Sequence, residues 1–421
     1  MASTQSIDAE KAREFAVKTV RKLREANFIS YWAGGCVRDH HLQVRPKDFD
    51  VATNALPDEI QELFGKKRTL AIGASFGVIT LIGSKEQGNI EIATFREDES
   101  YTDGRRPDKI SFSTPEADAH RRDFTINGMF LDPETMETLD YVGGLTDLKA
   151  RQIQAIGDPA ERFEEDKLRI FRAIRFATTL NFQIERNTLD AVCRHVDNLN
   201  QVSRERILVE LEKTLSSQHR LRGIDLLCET GILPYVLPKT NAEAKAILLL
   251  KSVLAQLPAN KLALTFAAIY HILSPELTAT DIRRTIKSMK TSNEVAESAF
   301  WILQHITQLI SASTEFWPKV QRTLVHPLAS DTLAFAKAIV LTTKTDPSGI
   351  QFCEEKLALS PENLNPPELL SGADLIELGM TPGPAFSKVL KQVRDQQLQG
   401  KVNSIEQALE LAKTTYQSMG Q

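Results

Sequence analysis

Apolar positions recur along this chain with two different periods, and the change comes near residue 150. Before that point the short β-rich runs "FISYWA", "GVITLIG" and "NIEIATF" stand between turn residues and predict strands. They alternate with helical stretches. In "AEKAREFAVKTVRKLREAN" the residues Ala12, Phe15, Ala16, Val20 and Leu23 keep three-to-four spacing, the apolar stripe of an amphipathic helix. After residue 158 that spacing continues almost to the end, in "EDKLRIFRAIRFATTL", "RERILVELEKTLSS", "KAILLLKSVLAQL" and "NKLALTFAAIYHIL". The proline-rich breaks "ILPYVLPKT" and "ALSPENLNPPELL" mark boundaries within the helical part. The pattern predicts a head of mixed strands and helices followed by a long all-helical region.

A chain of 421 residues is long enough for two or more domains. Its formal net charge of −4 announces no nucleic-acid binder, but a balanced total leaves room for a basic groove opposite acidic faces. The four cysteines, Cys36, Cys193, Cys228 and Cys353, form no C-x-x-C pair, so neither a zinc site nor a disulfide framework is expected. The opening "MASTQSIDAEKAREF" lacks the apolar core of a signal peptide. No run of about twenty apolar residues predicts a membrane span. The expected location is cytoplasmic, without membrane contact, and nothing in the sequence calls for a protein partner.

The candidate chemistry is concentrated in "GGCVRDHHLQVRPKDFDVATNA". "FISYWA" reads as a strand, the glycines as a turn and "CVRDHHL" as the start of a helix. Glycines let a backbone approach a ligand closely, and a helix N-terminus offers free N–H groups to an anion. Arg38 adds charge suited to phosphate. "KDFDVAT" reads as a further strand, on which Asp48 and Asp50 point to one face. Two adjacent carboxylates repel, and a divalent cation between them relieves the repulsion. Mg²⁺ takes one or two carboxylates together with phosphate oxygens. A phosphate cradle beside such a pair is what nucleotidyl transfer requires. Each part alone has a bland reading, as an ordinary turn or as a charged strand edge that discourages aggregation. Their combination in one strand–turn–helix–strand unit is far more specific.

"GGCVRD…DFDVAT", followed in order by "RRDFTINGMFLDP", "EDKLRIFRAIRFA" and "SRERILVELEKTL", resembles the class II tRNA nucleotidyltransferase and bacterial poly(A) polymerase family. The resemblance covers about the first 215 residues, and more weakly the C-terminal "LIELGMTPGPAFSKVLKQVRDQQLQGKVNSIEQALELA". It implies an α+β fold, with a polymerase-β-type nucleotidyltransferase head of mixed sheet and helices and then an all-helical neck, body and tail. The expected boundaries are residues 1–150 for the catalytic head, 151–215 for a neck that reads the base, and 216–345 and 346–421 for an RNA-binding body and tail. The resemblance further implies that Asp48 and Asp50 hold Mg²⁺, with Glu91 of "NIEIATFR" a third catalytic carboxylate. Gly34, Gly35 and Arg38 would bind triphosphate, with Asp39 orienting Arg38. Arg122 and Asp123 would meet the ribose, with Asn127 as an orienting partner. Asp123 also reads as a plain helix cap. Glu165, Asp166 and Arg169 would present donors and acceptors to the base in place of a nucleic-acid template. Their bland reading is an exposed ion-pair cluster on one helix. Arg172 and Arg175 would face phosphate or RNA, or brace the neck. This chain carries Gly128 where many members have alanine.

The stretch "REDESYTDGRRPDKISFSTPEADAH" reads as a mobile loop. In this family such a loop accompanies addition of the terminal A, which argues against a CC-only enzyme. Poly(A) polymerases of the family carry a Gly-Arg-Arg-Phe stretch where this chain has "IGASFGVITLI". The expected function is therefore addition of C-C-A to the 3′ end of tRNA from CTP and ATP. Poly(A) addition and A-only or CC-only addition are the enzymatic alternatives. A catalytically silent RNA-binding relative is the other, against which the intact Asp48 and Asp50 speak. Basic contacts to RNA are expected in "SRERIL", "SSQHRLRG" and "IRRTIKSMK".

Overall fold

The computed structural model describes residues 7–46, 48–98 and 110–419. The chain divides into two units, residues 1–238 and 239–421. The first is built on a seven-stranded sheet. Its strands are β1 (Ser30–Ala33), β2 (Asp50–Thr53), β3 (Thr69–Gly73), β4 (Val78–Ile82), β5 (Asn89–Thr94), β8 (Phe130–Leu131) and β9 (Thr138–Leu139), in the order β3-β4-β5-β2-β1-β8-β9. Every neighbouring pair is antiparallel except β2 and β5, which run parallel. Alternation decides the faces. Trp32, Val51, Ile79, Leu81, Ile90 and Ile92 are buried, while Asp50 and Glu91 point the other way. The helix α1 (Ala9–Glu25) packs on β1 and β2 through the stripe expected of it. The short α2 (Gly35–His41) follows β1 directly, and α3 (Pro57–Phe64) packs on β4.

Two expectations change here. The strand at "KDFDVAT" begins only at Asp50, because β1 ends opposite it at Ala33 and Gly34 turns the partner chain away. Asp48 stands just before the strand, exposed, with buried Phe49 between the two aspartates, so the alternation still directs both to one side. The charged stretch after β5 is not all loop. Its ends form an antiparallel pair, β6 (Arg96–Asp98) and β7 (Ile110–Phe112), followed by the helix α4 (Pro115–His120). The centre of the expected mobile loop, residues 99–109, lies outside the described residues.

The rest of the first unit is helical, with α5 (Gly144–Ala150), α6 (Pro159–Glu165), α7 (Leu168–Leu180), α8 (Arg186–Arg194), α9 (Arg204–Leu215) and α10 (Arg220–Glu229). "FEEDKLRIFRAIRF" is not one helix. Asp166 is extended, with φ −139° and ψ 103°, and its Oδ1 accepts from the Leu168 N–H at 3.1 Å. The carboxylate thereby caps a new helix, the alternative that aspartate offers a backbone in place of continuing the old one.

In the second unit the helices Ala244–Leu254, Leu262–Leu273, Asn293–Ile310 and Ala329–Thr343 pack on one another. Leu262–Leu273 is buried nearly all round, which explains its lack of a polar face. The last helices close over a small core of their own that includes Leu375, Val389, Val393 and Ala408. No single helix among the described residues is long and apolar enough to cross a membrane.

Candidate active site

A cleft of about 590 Å³ opens over the polar face of the sheet. Its floor is made of small residues, Ala33, Ala52 and Ala93, with two carboxylates among them. The parallel register sets Asp50 directly beside Glu91. Both are open to the cleft. Asp50 is nevertheless crowded at the floor. Desolvation first, and then the charge of Glu91, push its carboxyl up from 3.8 to about 6, with Asp48 adding to the effect and Arg122 opposing it. Three carboxylates thus act on one another at one end of the cleft. Among the described residues no three ligating side chains form a closed metal cage. The floor suits an ion that draws its other ligands from water and phosphate.

Gly34 joins the floor to the arginines. It adopts φ 71°, and a Cβ there would lie 3.2 Å from Arg122 Nη1. Glycine is therefore required both by the backbone and by the close approach. No side chain caps the N-terminus of α2 that follows. Arg38 is held by Asp39 Oδ1, which accepts from Nε at 2.8 Å and Nη2 at 2.6 Å, and it donates through Nη1 to Asn127 Oδ1 at 2.8 Å. Arg121 and Arg122 share Asp118, one on each carboxylate oxygen. Burial alone would raise the Asp118 carboxyl, but Arg122 and Arg121 bring it below its ordinary value.

Asp123 is the most heavily engaged group. Its Oδ1 accepts from the Phe124 N–H and from Asn127 Nδ2, and its Oδ2 from Arg172 Nε and Nη2. These donors fill the four acceptor sites a carboxylate has. Burial would raise it, but Arg172 above all lowers it to about 2. Arg172 and Arg175 both reach Glu210 of α9, which is 3% exposed, at 3.4 and 2.7 Å. Arg175 also lies over the ring of Phe176 at 3.3 Å, with Arg38 and Arg172 at 5.4 and 5.2 Å.

Where the chain breaks between α6 and α7, Glu165 Oε2 accepts from Arg169 Nη1 at 2.6 Å, and Arg169 Nη2 donates to the Arg121 carbonyl at 2.9 Å. Asp166 accepts through Oδ2 from Arg206 Nη2 at 2.7 Å and through Oδ1 from Leu168. Unlike Asp123, it keeps acceptor capacity to spare. Asp166 and Arg169 both line the cleft.

Of the residues expected from sequence, Gly34, Gly35, Arg38, Asp50, Glu91, Arg122, Asp123, Asn127, Asp166, Arg169, Arg172 and Arg175 line this one cleft. Glu165 lies behind Arg169, and Asp48 stands beside the floor without lining it. The lining carries seven Arg or Lys side chains against four carboxylates, which suits an anionic ligand. Sequence reading missed Asp118, Phe176 and Glu210. Asp118 had a local signal, three and four residues before Arg121 and Arg122. The other two read as ordinary helix positions. Several basic residues expected to meet RNA have partners within the chain. Arg204 donates to the Tyr235 carbonyl, Arg206 holds Asp166, and Arg283 and Lys287 pair with Glu297.

The family model described as the Poly A polymerase head domain matches residues 30–154, and that of the probable RNA and SrmB-binding site of polymerase A matches residues 181–243. The CCA-adding enzyme of Levilactobacillus brevis is 34% identical over 410 residues, covering 95% of this chain and 97% of the relative. That of Lactococcus lactis is 33% identical, covering 94% and 95%. Among solved structures, the Bacillus stearothermophilus CCA-adding enzyme in complex with CTP aligns with a TM-score of 0.73 at 24% identity, over 97% of this chain and 99% of that one.

Proposed function

The chain belongs to the family of CCA-adding enzymes, and from that premise we propose that it builds or repairs the C-C-A end of tRNA from CTP and ATP, in the cytoplasm. The family's nucleotidyl-transfer chemistry implies a divalent metal, which we take to be Mg²⁺. The observation that carries the reading is the cleft itself, whose lining brings together the carboxylates Asp50 and Glu91, more cationic than acidic side chains, and an acceptor and a donor, Asp166 and Arg169.

Asp50 and Asp48 would hold the metal, with Glu91 as the third carboxylate. The strained ionisation of Asp50 is what a cation there would relieve. The bound metal would lower the proton affinity of the primer 3′-hydroxyl and neutralise the triphosphate. Arg38, with the backbone at Gly34 and Gly35, would take the triphosphate. Arg122 and Asn127 would meet the ribose. Asp123 would join them only by giving up one of its four donors, so its main work would be to hold Arg172 and Asn127 in place. Glu165 would fix Arg169. Asp166 would then accept from the amino group of cytosine or adenine, while Arg169 donates to the neighbouring ring nitrogen. Uracil and guanine present a carbonyl and an N–H at those positions and would leave polar groups without partners. Arg172 and Arg175, fixed by Glu210, would supply positive potential to phosphate. Residues 1–150 would act as the catalytic head and 151–215 as the base-reading neck, with RNA held by 216–345 and 346–421.

The test is product sequencing. The protein is incubated with Mg²⁺ and tRNA lacking its C-C-A end, with CTP alone, ATP alone and both. Two C residues, no addition, and C-C-A are the expected products. A run of A from ATP alone would replace this reading with poly(A) addition.

A further inference from the structure

The second unit holds a cavity of about 380 Å³ that the proposed reaction does not use. Trp301 lies between His305 and His326 with ring centroids 4.2 and 3.9 Å apart and interplanar angles of 22° and 13°. The three rings form one stacked column, and all three line the cavity. The column is fixed at both ends. His305 Nδ1 lies 2.8 Å from the Trp301 carbonyl, and His326 Nδ1 accepts from the Leu328 N–H at 3.1 Å. Gln308 follows Trp301 and His305 on the same helix face and lines the same cavity. It is 8% exposed. Its Oε1 accepts from Thr323 Oγ1 at 3.3 Å, but its Nε2 has no hydrogen-bond partner. Turning the amide over would only transfer the deficit to the oxygen. A buried amide end without a partner is costly, and a ligand that reaches it removes the cost.

Three cations complete the cavity. Lys319 pairs with Glu315 at 3.2 Å and Arg322 with Asp395 at 2.5 Å, while Lys391 makes no ion pair among the described residues. We propose that this cavity binds one nucleotide unit, with a base laid against the ring column, its edge at the Gln308 amide and its phosphate at Lys391 and Arg322. A base edge carries donor and acceptor groups side by side, so it satisfies the amide in either orientation. Stacking on aromatic rings with the phosphate on basic side chains is how unpaired nucleotides are held. The unit comes from an unpaired position of RNA, which rests on the tRNA reading above, or from a free nucleotide, which does not.

Two measurements on the full chain distinguish these sources. AMP, CMP, GMP and UMP are titrated in EDTA without other nucleotide, and tryptophan emission is compared between parent and variants, so that any binding in the catalytic cleft, which the variants leave intact, is common to both. Affinity for tRNA lacking C-C-A, and the rate of C addition at saturating tRNA, are measured separately. The variants are Gln308→Leu and Lys391→Glu, neither of which touches the catalytic cleft. Gln308→Leu removes the amide without a partner and should melt no lower than the parent, so lost binding in it is not misfolding. Both variants should weaken binding about tenfold, the weight of one polar contact, with the saturated rate of C addition unchanged. Loss of tRNA affinity assigns the site to RNA, and loss confined to the monophosphates assigns it to a free nucleotide. Variants that match the parent in both measurements overturn the proposal. Failure of the parent to add C counts against the C-C-A reading alone, because the monophosphate titration still decides the cavity.

Discussion

Replacing Asp50 by asparagine should raise the thermal stability of the metal-free protein while abolishing nucleotide addition. The folded carboxyl stands at about 6 against an ordinary 3.8, through desolvation and then Glu91. A folded value above the unfolded one means that the native state binds the proton more tightly. The charged form therefore weakens the fold at neutral pH, and stability rises as pH falls from about 6 towards 3.8. At about 1.4 kcal/mol for each tenfold change in proton affinity, the effect is at most about 3 kcal/mol. Asp50 is open to water in the cleft, so screening leaves about 1 kcal/mol. For a folded body of this size that is roughly 2–4 °C in Tm. Asparagine keeps the shape and removes the charge. Thermal unfolding in EDTA at neutral pH should show the variant melting above the parent. Added Mg²⁺ should then raise the parent and leave the variant nearly unmoved. A variant that melts below the parent in EDTA, or gains equally from Mg²⁺, refutes the argument from carboxylate repulsion.

Glu210→Ala should destabilise by about 3–5 kcal/mol, because Arg172 and Arg175 lose their buried counter-ion; an unchanged Tm would show that the pair is not needed. Asp123 is held at about 2, below its ordinary 3.8, so its contribution to stability is complete above 3.8 and is lost as pH falls towards 2. Asp123→Asn should flatten the acid-unfolding curve in that window, and Asp123→Ala should leave the preference for NTP over dNTP within about threefold if its acceptor sites stay filled, against one to two decades lost if it holds the 2′-hydroxyl. Arg206→Ala frees Asp166 and should blur the choice of C and A over U in a four-nucleotide competition, while an unchanged ratio would separate Asp166 from base reading. Gly128→Ala places a Cβ 2.7 Å from Val142 Cγ2 and should cost about 1–3 kcal/mol by overpacking, which Val142→Ala should restore in a melting assay.

How much of this site could be read in advance depended on the range over which each signal acts. The pairing of Asp48 with Asp50, the glycine turn and the stripe of α1 are local, and the chain displays them directly. Glu91 belongs beside Asp50 only because β2 and β5 pair in parallel, a register that no window of sequence contains. The helical period carried "FEEDKLRIFRAIRF" straight through Asp166, since both sides keep three-to-four spacing. The break lies in a capping bond from that aspartate's own side chain, which competes with helix on nearly equal terms. Glu210 looked like one more solvated glutamate in "RERILVELEKTL". Its burial follows from arginines on another helix, Arg172 and Arg175. Asp123 stands out in "RRDFTINGMF", but that all its acceptor sites are taken emerges only from the assembled cluster.

Two adjacent parallel strands cannot be joined by a tight hairpin. Between β2 and β5 the chain leaves through α3, crosses to the sheet's edge at β3 and returns through β4. Asp50 and Glu91 are 41 positions apart in sequence, yet they occupy one rung of the ladder. Their separation is set by the inter-strand spacing, about 4.8 Å between backbones, and not by the length of that excursion. Residues gained or lost around the single 3-10 turn Lys66–Arg68, between α3 and β3, would leave the pairing of β2 with β5, and so the distance between the two carboxylates, in place. The geometry of the floor is thereby insulated from length variation in the most outlying part of the head. A graft, a tag or a natural insertion placed between α3 and β3 would thus fall between the two acidic residues in sequence, yet two strands away from the nearer of them in the sheet.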